Sequence, residues 1–316
     1  MSAAGKALIC GSIAYDSIMV FNGHFKDHIL PDKIHMLNVS FLVPQLRREF
    51  GGCAGNIAYN LKLLGDVGYP MATVGHDFAP YQQWMSETQV PQDYVRVIAT
   101  EHTAQAFITT DEDDNQITAF HPGAMQHSHL NAIPTNAGIT LGIVSPDGRD
   151  GMVQHCAAFA AAGIPFIFDP GQGLPMFSGE DLRALVGQAT WLTVNEYEWQ
   201  AFQQRTGWSP ADVVKHVKAL IVTRGAEGST IYTPAGELVI PAARPLAVVD
   251  PTGCGDAYRA GLIHGLLRGL DWPVTGRIAS LLGALKVASR GPQNHRFSHA
   301  DFAAAYKVAF GGDLPR

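Results

Sequence analysis

Strands that alternate with helices along most of the chain predict an α/β fold, with a mostly parallel central sheet covered by helices on both faces and a small β lid. Short apolar runs such as ALICGSI, LGIVSPD, PFIFDPG, WLTVNEYE and ALIVTRG recur between longer amphipathic or Ala-rich stretches. Two regions break that rhythm, at about 16–49 and 92–121. They are expected to leave the main sheet and form the lid over a cleft. The whole chain, 1–316, is expected to be one α/β domain carrying that appendage.

The elements follow in order. Ala7 to Ile13 reads as a buried first strand, and a polar, Pro-interrupted stretch follows to about Glu49. A helical pattern runs from Asn56 to Leu64 and stops at Gly65. A strand near Met71 to Val74 precedes a helix around Tyr81 to Gln89. Two strands, Ala104 to Thr110 and Gln116 to His121, are joined by the acidic turn DEDDN. Helices are expected over 151–162, 180–188 and 196–205, between the later strands. The strand GSTIYTP follows, then a largely helical final third.

Composition narrows the function. Of 316 residues, 47% are hydrophobic and 16% charged, which is enough apolar matter for a large core and too little charge for disorder. A net charge of −6 offers no basic groove, so neither a nucleic-acid nor a membrane partner is expected. Cys10, Cys53, Cys156 and Cys254 are far apart and show no zinc spacing. Together with an N-terminus that turns polar too early for a signal peptide, they suggest a reducing, cytoplasmic setting.

Some patterns mislead. Asp111 to Asn115 starts like a calcium loop, but Gln116 stands where Gly is required and Pro122 where Glu is required, so a solvated hairpin turn fits better. His121, His127 and His129 cluster without a Cys or carboxylate at ligand spacing, and read as surface or pocket-wall histidines. The only Gly-Lys, Gly5-Lys6, precedes the first strand, which excludes a P-loop NTPase. The H-R-D and D-F-G signatures of protein kinases are missing. A dinucleotide fingerprint at Gly253-Cys254-Gly255 fails because Tyr258 stands where the third Gly belongs.

The decisive segment is Asp250-Pro251-Thr252-Gly253-Cys254-Gly255-Asp256-Ala257. It follows the strand-like LAVV and opens an amphipathic helix, with Ala257, Ala260, Ile263, Leu267 and Leu270 at helical spacing. A helix N-terminus presents unpaired N–H groups and the positive end of the dipole, which suits a phosphate. Gly253 and Gly255 allow close backbone approach. Asp256 could cap this helix or take a proton from an attacking hydroxyl. The paired glycines and the second carboxylate at Asp250 favour the base.

Asp-Pro-Thr-Gly-Cys-Gly-Asp resembles the D-T-x-G-A-G-D signature of the PfkB or ribokinase family of carbohydrate and nucleoside kinases. Pro251 replaces the usual Thr, and Cys254 the usual Ala. The resemblance implies a ribokinase-like fold, ATP with Mg²⁺, Asp256 as base, and an anion hole from the amides of Gly253, Cys254 and Gly255. Four further matches fall in family order. Gly11 to Asp16 resembles the early G-x-x-x-x-D, which implies that Asp16 binds sugar hydroxyls. Gly51-Gly52-Cys53-Ala54-Gly55-Asn56 resembles G-G-x-x-x-N, which puts Gly51, Gly52 and Asn56 at the substrate. Asn195-Glu196-Tyr197-Glu198 is similar to N-x-x-E, with Asn195 near the ATP phosphates and Glu198 holding Mg²⁺ through water. Thr223 to Gly228 resembles the nucleotide loop and places Thr223, Gly225 and Gly228 by ATP. A monovalent cation near Asp250 and Thr252, and a homodimer formed through the lid, are left open.

The chain looks most similar to the prokaryotic nucleoside kinases of this family, of the adenosine or inosine-guanosine type. The segments FLVPQLRREFGGCAGNIAYNL, ITAFHPGAM and FIFDPGQGLP suggest this. Phe41, Phe107, Phe120 and Phe168 are candidate faces for a base, with Gln105, His121 and Gln172 at its edges, although for any single one of them lid or sheet core is the reading to prefer. The expected reaction transfers phosphate to the 5′-hydroxyl of a nucleoside. A sugar kinase of the ribokinase or fructokinase type is the alternative, and an ATP-binding protein without turnover is a third reading.

Overall fold

The computed structural model describes residues 5–29, 38–113 and 115–315. Part of the first expected lid segment, 30–37, and Asp114 in the acidic turn lie outside the described residues.

The N-terminal half holds β1 (Lys6–Cys10), β2 (Ala14–Val20), a short α1 (Phe25–His28), β3 (Gln45–Gly51), α2 (Cys53–Leu63), β4 (Gly68–Gly75), α3 (Ala79–Glu87), β5 (Tyr94–Ile98), β6 (Ala104–Thr110) and β7 (Gln116–His121). Then come β8 (Ile139–Val144), α4 (Arg149–Ala162), β9 (Phe166–Phe168), α5 (Gly179–Gln188), β10 (Trp191–Asn195), α6 (Glu196–Thr206), α7 (Pro210–Val213) and β11 (Ala219–Thr223). The chain finishes with β12 (Ser229–Thr233), β13 (Gly236–Ile240), α8 (Cys254–Leu267), α9 (Trp272–Val287) and α10 (His299–Phe310).

Nine strands form one sheet in the order β13-β12-β11-β10-β9-β8-β1-β4-β5. Every pairing from β11 to β5 is parallel, and β12 and β13 add an antiparallel edge. The inner strands are largely apolar because both faces are covered. Alternate residues feed different cores: Ala7 and Ile9 of β1 pack with α2, α8 and α9, whereas Leu8 and Cys10 pack with α4, α5 and α6. In β11, Ala219 and Ile221 join the first core, and Leu220 and Val222 the second. Ser178, Asn195 and Ser298 close capping boxes at the starts of α5, α6 and α10.

The small sheet has the order β3-β2-β6-β7, with a parallel β2-β6 pair flanked by antiparallel pairs. Expectation placed the appended segments at 16–49 and 92–121. Within the second, Tyr94–Ile98 pairs with β4 at the edge of the large sheet. The edge strand β13 was not anticipated as a separate element, since its sequence GELVI is short and exposed on four of five residues. The LAVV segment is not a strand. The N–H groups of Val249 and Asp250 both donate to Val287 O, so this stretch hangs from the end of α9 instead of joining a ladder. Leu270 also falls outside α8, which ends at Leu267.

β1 lies between β8 and β4, so the connections from neighbouring strands diverge to opposite faces there. That switch leaves a crevice beyond the carboxyl ends of the strands, where ligands of open α/β sheets bind.

Candidate active site

Gly11 to Ile13 leave the end of β1 and carry the chain directly into β2 of the small sheet. Asp16 therefore sits on the lid, not at the end of the first strand, in register with Glu49 on one side and Ala106 on the other. Gly51 closes β3 opposite Ala14. A Cβ there would stand 2.6 Å from Asp16 Oδ2, so glycine leaves room for that carboxylate. Gly52 turns the chain into α2 at φ 86°, and a side chain would collide with Ser12 O at 2.6 Å. The Cys53 N–H donates to Ser12 Oγ at 3.1 Å and the Ala54 N–H to Ser12 O at 2.9 Å, which fixes α2 against the β1–β2 link.

Asn56, in the first turn of α2, donates from Nδ2 to Asp256 Oδ2 at 2.8 Å. Its Oδ1 accepts from Gln293 Nε2 at 2.9 Å. Gln293 also donates to the Tyr81 hydroxyl at 2.7 Å and accepts from Trp84 Nε1 at 2.8 Å. The Tyr81 hydroxyl in turn donates to Gly51 O at 2.9 Å. This chain sets the orientation of the Asn56 amide, so that its NH₂ faces the carboxylate.

Gly253 is the N-cap of α8, in the left-handed region at φ 79°. A Cβ there would meet Pro292 Cβ at 2.9 Å. Cys254 N–H donates to Pro251 O at 3.1 Å, so it turns inward. Among the described residues, the N–H groups of Gly253, Gly255 and Asp256 have no protein acceptor. Expectation had included the amide of Cys254 among the three that stabilise charge. The outward set consists instead of its neighbours, because the turn that begins at Pro251 consumes that donor. Pro251, Thr252 and Gly255 are exposed, so this helix start opens to solvent.

Two carboxylates here are pushed well up. Burial raises Asp16 to about 7, aided by the nearby carboxylates of Asp256, Glu49 and Asp250. Burial raises Asp256 to about 6, while the Asn56 hydrogen bond and the Arg259 charge hold it down. Cys254 is buried enough for its thiol to rise to about 11, so it is a neutral neighbour and no nucleophile.

Arg259 lies three residues beyond Asp256 on α8 and grips Asp169, at the end of β9, through Nε–Oδ2 at 2.5 Å and Nη2–Oδ1 at 2.7 Å. Its Nη1 donates to Gly255 O at 3.2 Å, and Nη2 stands 3.8 Å from Glu198 Oε2. One buried guanidinium thus ties the helix start to two strand ends. Asn195 caps α6, with its Oδ1 accepting from Glu198 N at 2.8 Å. Glu198 Oε2 accepts from Asn195 N at 2.7 Å, which leaves Oε1 free among the described residues. Burial first, then the Asp169 charge, raises the Glu198 carboxyl. The free oxygen is available to a cation, directly or through water.

Asn195 pairs in register with Thr223 at the ends of β10 and β11. Gly225, at φ 54°, has open space where a side chain would be. Gly228 differs: a Cβ there would lie 2.1 Å from Ile240 O, so this glycine is required by packing against the end of β13. Phe168 is fully buried in the core under α4 and α5, which removes it as a face for a base. Phe41 packs against Phe21, Phe25 and His28. Phe120 lies in the same cross-strand row as Asp16 and Ala106, and is 52% exposed. Phe107 is on the opposite face. Asp111 accepts from the N–H groups of Phe25, Asp113 and Asn115, as a turn residue does.

The profile of the pfkB family carbohydrate kinases matches residues 15–298. The chain belongs to this family.

The pfkB-family chain is 52% identical to a nucleoside kinase of Burkholderia thailandensis whose structure is in complex with inosine, at a TM-score of 0.90 over 98% of this chain and all of that one. The same enzyme in complex with ADP-inosine gives 53% identity and a TM-score of 0.87 over 98% and 97% of the two chains. A nucleoside kinase of Methanocaldococcus jannaschii is 33% identical over 82% of this chain and 85% of its own. An Arabidopsis thaliana ribokinase, 18% identical with a TM-score of 0.76 over 96% and 99% of the chains, shares the ribokinase-like fold.

Of the residues anticipated in the pfkB-family motifs, the structure brings Asp16 against Gly51 and Asn56 against Asp256, and sets Glu198 beside Arg259 of α8, but their supports were not visible beforehand. Asp169, Arg259, Gln293 and Tyr81 carry no motif. A signal existed for two of them: a carboxylate directly after the apolar FIF, and an arginine one helical turn beyond Asp256.

Proposed function

We propose that this protein transfers the γ-phosphoryl group of ATP to the 5′-hydroxyl of a nucleoside of the adenosine or inosine-guanosine type. The observation that carries the reading is the half-buried Asp256 carboxylate, held by Asn56 at 2.8 Å inside the first turn of α8. Asp256 accepts the proton of the attacking hydroxyl. A group with a pKa of about 6 is ionised at neutral pH and still basic enough to serve. The N–H groups of Gly253, Gly255 and Asp256 stabilise charge on the group in transfer.

Asp16 and Asn56 bind the ribose diol, since a carboxylate accepts two hydrogen bonds and an amide both donates and accepts. Gly51 and Gly52 admit the sugar to the backbone. Beside Asp16 the same sheet face carries Ile18, Ala106 and Phe120, an apolar floor suited to a flat base. Likeness to the Burkholderia thailandensis enzyme in complex with inosine supports the same choice.

Asn195, Thr223, Gly225 and Gly228 bind ATP along the ends of β10 and β11. Glu198 holds Mg²⁺ through water. When bound, the ion neutralises charge on the phosphates. Two copies pair through the outer face of the small sheet, where Leu46, Phe107 and Ile117 are 70%, 41% and 44% exposed. Monomeric sedimentation would reject that pairing.

The test is a panel of inosine, guanosine, adenosine, ribose and fructose with Mg-ATP, read as ADP release. Turnover with a nucleoside and none with free sugars is expected. Turnover with free sugars alone would defeat the proposal.

A further inference from the structure

Lys286, in the last turn of α9, is completely buried. Its Nζ donates to Asp250 O at 2.7 Å and to Ser289 O at 3.2 Å. Both acceptors are backbone carbonyls, and both belong to segments that carry the phosphate-binding turn. Asp250 opens that turn. Its carboxylate accepts from the Thr252 N–H at 2.9 Å through one oxygen and from the Gly291 N–H at 2.9 Å through the other.

Converging carbonyl oxygens next to a carboxylate are the chemistry that solvates an alkali cation. Near Asp250 and Thr252 the resemblance left such an ion open. The residues present do not fit it. An ammonium already engages the two carbonyls, and a second cation beside it would meet a buried like charge. Lys286 is close enough to the helix start for its charge to act on Cys254, and for the charges of Asp250 and Asp256 to act on it in return.

We infer that Lys286 supplies from within the chain the fixed positive charge and loop-ordering contacts that a bound monovalent cation would provide beneath the phosphate-binding turn. The enzyme is therefore independent of potassium. Lys286 is a positioning residue: it holds the carbonyl of Asp250, and through it the course of Thr252 to Asp256, without touching substrate. This rests on the phosphate-site reading of that turn.

The test uses the full-length protein exchanged into choline chloride. Mg-ADP affinity is measured by calorimetry, and kcat and KM by ADP release, in choline, sodium, potassium and ammonium chloride at one ionic strength. Affinity and kcat are expected to agree within about twofold across the four salts, as for a site that already holds its cation. A tenfold or greater gain in potassium would overturn the inference.

Lys286→Ala is expected to lose about a hundredfold in kcat in choline, the scale of one lost electrostatic contact. It should regain at least tenfold in ammonium or potassium, while sodium and choline do less. Loss without rescue would mean a structural lysine and would overturn the role. Should that variant not fold, the wild-type salt series decides alone. The calorimetric arm needs no acceptor, so a wrong choice of nucleoside would leave it intact.

Discussion

Asn56 and Asp256 are 200 positions apart in the chain and share a hydrogen bond of 2.8 Å. The bond joins the first turn of α2 to the first turn of α8, the two helices that also pack along each other. It stabilises the ionised carboxylate and so helps offset the burial that pushes Asp256 up to about 6.

That balance predicts the pH dependence of the reaction. A base with a pKa near 6 must lose its proton first, and Asp16, near 7, must lose its own to accept the diol, so kcat/KM for the nucleoside should fall steeply as pH drops below 6 and level off only above about 7. Asn56→Ala removes a contact that favours the charged form. The acidic limb of that variant should move to higher pH, with a raised nucleoside KM. An unmoved limb would contradict the pairing.

Asp16 gives a stability prediction of definite sign. Its carboxyl lies near 7 in the folded protein against an ordinary 3.8. Between those values the native state keeps a proton that the unfolded chain releases, so this group's contribution falls as pH rises from 4 to 7. Asp16→Asn should remove that loss and gain about 2 kcal/mol over the wild type at pH 8, with little gain at pH 4. Thermal unfolding across that range checks it. The same variant should bind nucleoside poorly.

The Asp169–Arg259 pair is buried on both sides, with side chains 2% and 6% exposed. Arg259→Met should destabilise the fold by about 3–5 kcal/mol, because it strands a carboxylate away from water. The double variant Asp169→Leu with Arg259→Met should recover much of that stability yet not the activity, since the link to Gly255 O stays lost. Denaturant midpoints and kcat separate the two effects.

Gly253→Ala should harm ATP use through geometry alone. The residue is in the left-handed region at φ 79°, and an added methyl would reach Pro292 at 2.9 Å. About 1–2 kcal/mol of backbone strain is expected, with a raised KM for ATP. An unchanged KM would show that the turn does not meet the phosphates.

The sheet was largely legible because its strands are apolar runs that carry their own turn signals. WLTV and ALIV need no partner to be recognised. The turn proposed to be catalytic was legible for a similar reason: Gly253, Gly255 and Asp256 lie within four residues, and their chemistry is local. What could not be read were choices settled by distant neighbours. LAVV has the composition of a strand, but both its last N–H and that of Asp250 go to Val287 O, so no ladder forms. Phe168 looks as suitable for a base as Phe120, and only the three-dimensional packing separates them. Gln293, Lys286 and Asp169 act through contacts with residues far along the chain, and nothing in their local sequence marks those contacts.

The most direct measurement is the turnover of Asp256→Asn, with nucleoside and Mg-ATP both saturating and the fold confirmed by circular dichroism. Asparagine keeps the shape and loses the basic oxygen. A fall in kcat of about a thousandfold or more, with the KM for ATP within about threefold of the wild type, is the expected result. A kcat within about tenfold of the wild type would contradict the assignment of the proton acceptor and the account built on it.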